Sequence, residues 1–436
     1  MQELLGWSWV ESQVPRTVGA WNECAARPMP LGRRYAAAEQ RIREQAYDDG
    51  MRDVEAELKR SRRLGPRPDR ADCRATQDRL IASFANFAAS ALDLRGDAIR
   101  LLTEGFLPQG TEFARRARRF DSALAMAEII QACRNAWTVC GLQPLLAQRA
   151  GITPSIIGYS LLYPYTDNFL DAKNVSSDAK LRFCRRFHDR LSGQRVIATG
   201  HHETSVWALV KMIESQYPRA RYPEVYRCLL AIHQAQQQSM AQLKNGPHCT
   251  ETEILLISCA KGGTSVLADA CLVRGWLSEE ERRLAFDWGA LLQFGDDLQD
   301  LAEDLERGSA TLFTRGAAHS AALDGLVTQM LNFSEQIAVR IACFPHGSSA
   351  LKDLLRMSWR SLIISAVANA HAHFSAQFLA EAEQFSPFRF GFLRERNQQL
   401  TRRRGLYTGV FEALIEPGGE GAAPPERLEE PALQMQ

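Results

Sequence analysis

The sequence predicts an all-α protein, a single-domain antiparallel helical bundle. Apolar residues recur at three- and four-residue spacing over long stretches, the period of a helix buried along one face. Alternation of apolar and polar residues is rare, and Asn-Gly or Asp-Gly hairpin turns are few. The chain has 436 residues, 45% hydrophobic and 24% charged, enough for a large core and ordinary for a soluble globular protein. Its net charge of +1 gives no global pull toward nucleic acid.

Taken in order, the periodicity predicts helices over 33–61, 75–103, 110–145, 152–173, 177–192 and 203–215. It continues over 222–244, 249–274, 278–306, 320–343, 347–384 and 388–415. Breaker-rich stretches separate them: "GPRPDRAD" (65–72), "LPQG" (107–110), "NGPH" (245–248), "GSAT" (308–311) and "FPHGSS" (344–349). No repeat of solenoid length is present. The expected organisation is a helical N-terminal extension over 1–74, a helical domain over 75–415 and a disordered Pro/Gly/Glu-rich tail over 416–436. Residues 62–74 read as a linker or a long loop.

The first residues, "MQELLGWSWVESQVPRTVGAW", lack the basic and apolar regions of a signal peptide. No apolar run approaches the roughly 20 residues of a membrane span. Trp7, Trp9 and Trp21 are expected to pack on the body, with contact to a membrane surface as the alternative. The ten cysteines form no Cys-x-x-Cys pair, so buried free thiols in a reducing cytoplasm are expected rather than zinc or disulfides.

One helix carries an unusual charge pattern. In "LLQFGDDLQDLAEDLERGSATLF" (291–313), Asp296, Asp297 and Asp304 fall within roughly a 100° arc of Asp300 on a helical wheel. Like charges four apart destabilise a helix, and a solvated face normally mixes them with Lys or Arg. Carboxylates crowded on one face become favourable when a divalent cation sits among them. Mg²⁺ takes one or two carboxylates together with water and phosphate oxygens. Upstream, "YSLLYPYTDNFLDAKN" (159–174) places Asp167 and Asp171 on one helical face. Two such helices facing each other across a bundle could hold several Mg²⁺ ions, and through them a diphosphate.

These stretches carry a family resemblance. "DDLQD" (296–300) resembles the aspartate-rich motif of trans-isoprenyl diphosphate synthases. Gln293, "DLAED" (300–304) and Gly308 resemble the second motif of squalene and phytoene synthases. The nearest likeness is to bacterial large-terpene synthases of the tetraprenyl-β-curcumene synthase type, within the class I isoprenoid synthases. It rests on "DNFLD" (167–171), "KGGTSVLAD" (261–269), the 295–313 run, "WNECA" (21–25) and "SPFRF" (386–390). It spans about 21–400, with strong motifs over a small part of that length. Where the family has a Tyr-rich segment, this chain reads "HDRLSGQRVIATGHHETSVWALV" (188–210), which leaves substrate length and product open.

The resemblance implies an isoprenoid-synthase bundle around a central apolar cavity. It implies a Mg²⁺-dependent terpene synthase, a lyase that ionises a prenyl diphosphate, with three Mg²⁺ ions when diphosphate is bound. Asp167, Asp171, Asp300 and Asp304 would be the catalytic set; metal ligation would add Asp296 and Asp297. Lys261, Arg182, Arg185, Arg186 and Arg315 are the diphosphate candidates. Tyr163, Phe169, Trp207, Phe294 and Trp359 are candidate cavity walls, together with Gly262 and Gly263. That glycine pair marks either a kink beside the cavity or a close helix crossing. His201, His202 and Glu203 are either a deprotonation cluster or the polar start of a helix. The alternatives are a prenyl-joining enzyme and a non-catalytic helical scaffold. The expected partner is a small prenyl diphosphate, with no nucleic acid and no membrane span. Peripheral membrane contact and a homodimer are left open.

Overall fold

The computed structural model describes residues 5–415 except 26, 31, 65–68, 173, 246–248 and 403. For 171, 240–245, 400–402, 404, 406 and 407 it describes the backbone only. The tail 416–436, and the Pro/Gly core of the breakers at 65–72 and 245–248, lie outside the described residues. Among the described residues every regular element is helical and none is a strand.

The N-terminal part comprises α1 (Trp7–Asn22), α2 (Ala37–Arg63), α3 (Arg70–Ser90) and α4 (Gly96–Arg100). A single π-helical turn, Leu101–Phe106, leads from α4 into α5 (Leu107–Phe120). Next come α6 (Met126–Leu145), α7 (Pro154–Asp171), α8 (Ser177–Leu191) and α9 (His201–Gln216). The core helices follow as α10 (Pro223–Asn245), α11 (Glu251–Arg274) and α12 (Glu279–Gln299). Two short helices, α13 (Leu301–Arg307) and α14 (Leu312–Gly316), precede α15 (Ser320–Cys343) and α16 (Ser349–Asn369). The chain closes with α17 (Ala376–Glu383), α18 (Phe390–Arg402) and α19 (Arg404–Ile415).

Helix α11 is the hub, packed by α12, α10, α1, α6 and α7. Its apolar residues therefore run all round it, as expected of a helix buried on every side. By length and composition it could cross a membrane, yet 78% of its most apolar window is buried inside the fold. Both ends are specified locally. Thr250 and Glu253 form a capping box at the start, and Gly275, at φ 88°, ends it in the left-handed conformation that glycine adopts without strain. Ser278 and Glu281 repeat the capping box at the head of α12.

The N-terminal segment is part of this body. Trp9 and Trp21 are each 2% exposed. Trp9 Nε1 donates to Glu279 (3.1 Å), and Thr17 donates to the buried Asp287 (2.6 Å), tying α1 to α12. The cysteines are free thiols, eight of them buried, with Cys249 partly exposed and Cys343 exposed.

Several expected helices are divided. The 75–103 segment breaks where Asp93 takes a left-handed backbone (φ 61°). The 110–145 segment breaks at Asp121, whose carboxylate accepts from the Ala123 amide (2.9 Å) and the Tyr165 hydroxyl (2.5 Å). Such a side chain offers the backbone an alternative to the helix. The expected break at 107–110 is absent, because Pro108 occupies the first turn of α5, where no amide is needed. The 278–306 segment divides at Asp300, which leaves helical geometry (φ −90°, ψ 8°). The 347–384 segment divides after Asn369, passing through a 3₁₀ turn at His371–His373.

Candidate active site

A cavity of about 1060 Å³ opens among α2, α3, α6, α7, α10, α11, α12, α16 and α19. Most of its lining is apolar, with Leu162, Val266, Trp288, Leu291 and Trp359 in the wall. Polar groups gather in few places, as in sites that orient a largely apolar ligand.

The acidic ladder of α12 and α13 stands in this wall. Asp296, Asp297, Asp300 and Asp304 all line the cavity. Their environments differ. Asp296 is half-exposed and pairs with Arg134 of α6 at 2.9 Å, which marks the solvent end. Asp297 is 8% exposed and accepts from Gln293 Nε2 (2.7 Å) and Ser258 Oγ (3.4 Å). Burial pushes its carboxyl up to about 7, against the Gln293 hydrogen bond and the Lys261 charge. Asp300 is raised by burial and then by Asp296, Asp304 and Glu303, with Arg134 opposing. Asp304 is raised by burial, while the Ser309 hydrogen bond, Arg307 and Lys261 pull it down and Glu303 pushes it up. Crowding and desolvation thus both disfavour the fully ionised ladder.

Lys261 lines the cavity one residue before the glycine pair. The glycines make no kink: α11 runs unbroken through them. A Cβ on Gly262 would lie 2.3 Å from the Gly289 carbonyl oxygen, and one on Gly263 would lie 2.5 Å from the Phe286 ring. Close helix crossing, rather than a kink, is therefore what the pair provides.

The other acidic segment enters differently. Asp167 is not itself in the cavity wall, but its neighbour Thr166 is. Gln236 of α10, also in the wall, donates to Asp167 Oδ1 at 3.2 Å. Asp171 ends α7, and its side chain lies outside the described residues.

Several sequence candidates are placed elsewhere. Arg182 and Arg185 are exposed on the outer face of α8, whose inner face buries Phe183, Cys184, Phe187 and Leu191. Arg186 makes a bidentate ion pair with Glu203 (2.7 and 2.8 Å). That hydrogen bonding holds the Glu203 carboxyl down at about 2, despite its partial burial. Arg315 donates to the Cys249 carbonyl at 3.2 Å. None of the four arginines lines the cavity. Among the proposed wall residues, Tyr163, Gly262 and Trp359 do line it. Phe169 instead stacks on His202 (4.3 Å), Trp207 on Phe187 (6.3 Å), and Phe294 packs against Trp21 (4.5 Å). Gly263 meets Phe286. Their packing serves the core between helices, with Phe169 only partly buried. His202 Nε2 donates to the Tyr165 carbonyl (2.8 Å), and Glu203 also accepts from Thr199 (2.8 Å), so His202 and Glu203 organise the start of α9, while His201 is exposed.

The structure also adds residues. Arg134, Asn135, Gln236 and Asp269 line the cavity. No local pattern singled out the first three; only Asp269 stood within a quoted motif.

Among the described residues, no group of three or more His, Cys, Asp or Glu is arranged to hold an ion. The donors present are hard carboxylate oxygens, raised by burial and by one another. That chemistry fits Mg²⁺, which binds through one or two carboxylates and completes its shell with water and phosphate. It does not fit a closed protein cage. No family model matches this chain, and no curated protein or solved structure is significantly similar to it.

Proposed function

We propose that this protein is a class I terpene synthase, which ionises a prenyl diphosphate and cyclises the resulting carbocation or eliminates a proton from it. One observation carries the reading: an acidic ladder with two interleaved cations stands at one part of a large, mostly apolar cavity. An apolar chain with a strongly anionic head is the ligand such a division favours.

Asp296, Asp300 and Asp304 are the residues that would hold Mg²⁺, with Asp167 and Asp171 as the second set and Asp297 in support. Bound Mg²⁺ would stabilise negative charge developing on the leaving diphosphate. Lys261 and Arg134 would bind and orient the same head group, supplying charge already aimed at it. The Gln293 hydrogen bond fixes one oxygen of Asp297 within the wall. Trp288, Trp359 and the aliphatic wall would exclude water from the cation and offer aromatic faces to it.

A volume of about 1060 Å³ would also admit a long chain or two chains, which keeps the prenyl-joining alternative in view. The test uses purified protein, Mg²⁺, and geranyl, farnesyl, geranylgeranyl and longer diphosphates, measuring released diphosphate and hydrocarbon products. Product from a single allylic substrate is the expected result. A requirement for isopentenyl diphosphate, or a coupled dimer, selects the joining reaction. Absence of diphosphate release with every substrate overturns the enzyme reading and leaves a scaffold.

A further inference from the structure

Away from the acidic ladder, the cavity wall holds a second polar cluster. Asp269 of α11 is 1% exposed and stands in the wall with Asn135 and Tyr159. Its Oδ1 accepts from Asn135 Nδ2 at 2.9 Å, and the same amide lies 3.1 Å from Ser160 Oγ. Its Oδ2 has no hydrogen-bond partner. A buried polar atom without a partner is uncommon and expensive, and it calls for an explanation. Burial raises this carboxyl well above the usual carboxylate range, outweighing the Asn135 hydrogen bond. Tyr159 donates its own proton to the Ser265 carbonyl (3.3 Å), which leaves its phenolic oxygen able to accept.

The cluster lies at a distinct depth. On α11, Asp269 is two helical turns beyond Lys261, about 12 Å along the axis. On α7, Ser160 precedes Asp167 by about 10 Å in the same way. Both helices thus separate the polar cluster from the charged residues by a similar axial length, with Leu162 and Val266 in the wall between.

Resting on the reading of the site as one for an isoprenoid chain, we propose that Asp269, Asn135 and Tyr159 form a second recognition point, which binds a hydroxyl group on the far part of that chain. A hydroxyl both donates and accepts. It can therefore pair in either role with the unpartnered Oδ2 of Asp269, beside the free acceptor capacity of Tyr159. A wholly hydrocarbon chain would leave Asp269 Oδ2 unpaired, a penalty that sites built for a hydroxyl use to reject analogues lacking one.

The test needs neither metal nor turnover. Trp137, Trp288 and Trp359 line the cavity, so their fluorescence reports binding of dodecan-1-ol and of dodecane to the full chain. The wild-type protein should prefer the alcohol, and Asp269→Leu should shift that preference by about tenfold toward the alkane, the equivalent of one unpaired buried group. Asp269→Asn keeps a hydrogen-bonding group at that position and should retain most of the preference. Asp269→Leu should melt near the wild-type temperature, since the loss of the Asn135 hydrogen bond is offset by removal of a buried oxygen that lacks a partner; should it fail to fold, the Asn variant alone decides by keeping or losing the preference. An unchanged alcohol-to-alkane ratio in Asp269→Leu, or binding of neither chain, overturns the inference. Because no diphosphate is involved, that failure is separate from a failure to release diphosphate, which bears on the enzyme reading only.

Discussion

Gly262 and Gly289 meet backbone to backbone at the crossing of α11 and α12, in the wall of the cavity. A Cβ on Gly289 would lie 2.1 Å from the Gly262 carbonyl oxygen, and the reverse contact would be 2.3 Å. Neither side can yield, because the obstacle is main chain. Gly262→Ala and Gly289→Ala should each push the helices apart and destabilise the protein by about 1–3 kcal/mol, the usual range for overpacking. Urea titration measures this. Gly325, which has open space around it, provides the control: Gly325→Ala should be neutral or stabilising. Equal behaviour of the three variants would show that the crossing tolerates a methyl group.

The acidic ladder should behave as a functional feature that weakens the fold. Asp300 is raised by burial and by its acidic neighbours, so removing its charge relieves strain. Asp300→Asn and Asp167→Asn should lower diphosphate release by on the order of 10²–10³, the scale of losing one electrostatic contact to developing charge. Thermal stability should stay level or rise. Marked unfolding of either variant would make the carboxylate structural and remove its claim on a metal.

What could be read in the sequence was local or periodic. The apolar spacing predicts a helix over 320–343, and α15 has those bounds. The aspartates of 296–304 drew notice because nothing local offsets their repulsion. The breaks that were missed depend on distant partners: Asp121 ends α5 while accepting from Tyr165, which is 44 residues away. The arginines of α8 looked like anion ligands because charge alone does not say which face of a helix is buried. Arg186 is instead engaged by Glu203, brought to it by the turn between α8 and α9. Arg134 stood alone in an ordinary helix, and only the fold places it against Asp296.

Arg134 therefore yields a prediction that sequence alone would not prompt. Its ion pair with Asp296 is largely exposed, with side chains 61% and 50% accessible. Such pairs add little to stability, about 0–1 kcal/mol. Arg134→Gln should leave the melting temperature nearly unchanged. If the guanidinium holds the diphosphate head, the same variant should weaken inhibition by inorganic diphosphate by about tenfold, as loss of one charge-assisted hydrogen bond implies. Arg134→Lys should restore part of the affinity. Unaltered inhibition in Arg134→Gln would confine this arginine to positioning Asp296.

His233 gives a prediction about acid. It is 5% exposed, its Nε2 donates to the Cys184 carbonyl at 3.1 Å, and the Phe187 ring packs edge-on against it. Burial lowers its pKa from 6.5 to about 4, more than the Cys184 hydrogen bond restores, and His188 lowers it further. The folded protein thus holds the neutral ring, whereas the unfolded chain takes up a proton near pH 6.5. Between those values the unfolded state binds more protons, so stability falls as pH falls through the window from 6.5 to about 4. Over the full window the loss attributable to this residue is roughly 3 kcal/mol. Urea titrations of the wild type and His233→Gln at several pH values measure it. The variant will have its own fixed packing deficit, but the wild type should lose its advantage progressively on acidification. A difference between the two proteins that does not vary across that range would mean His233 titrates alike in the folded and unfolded chain.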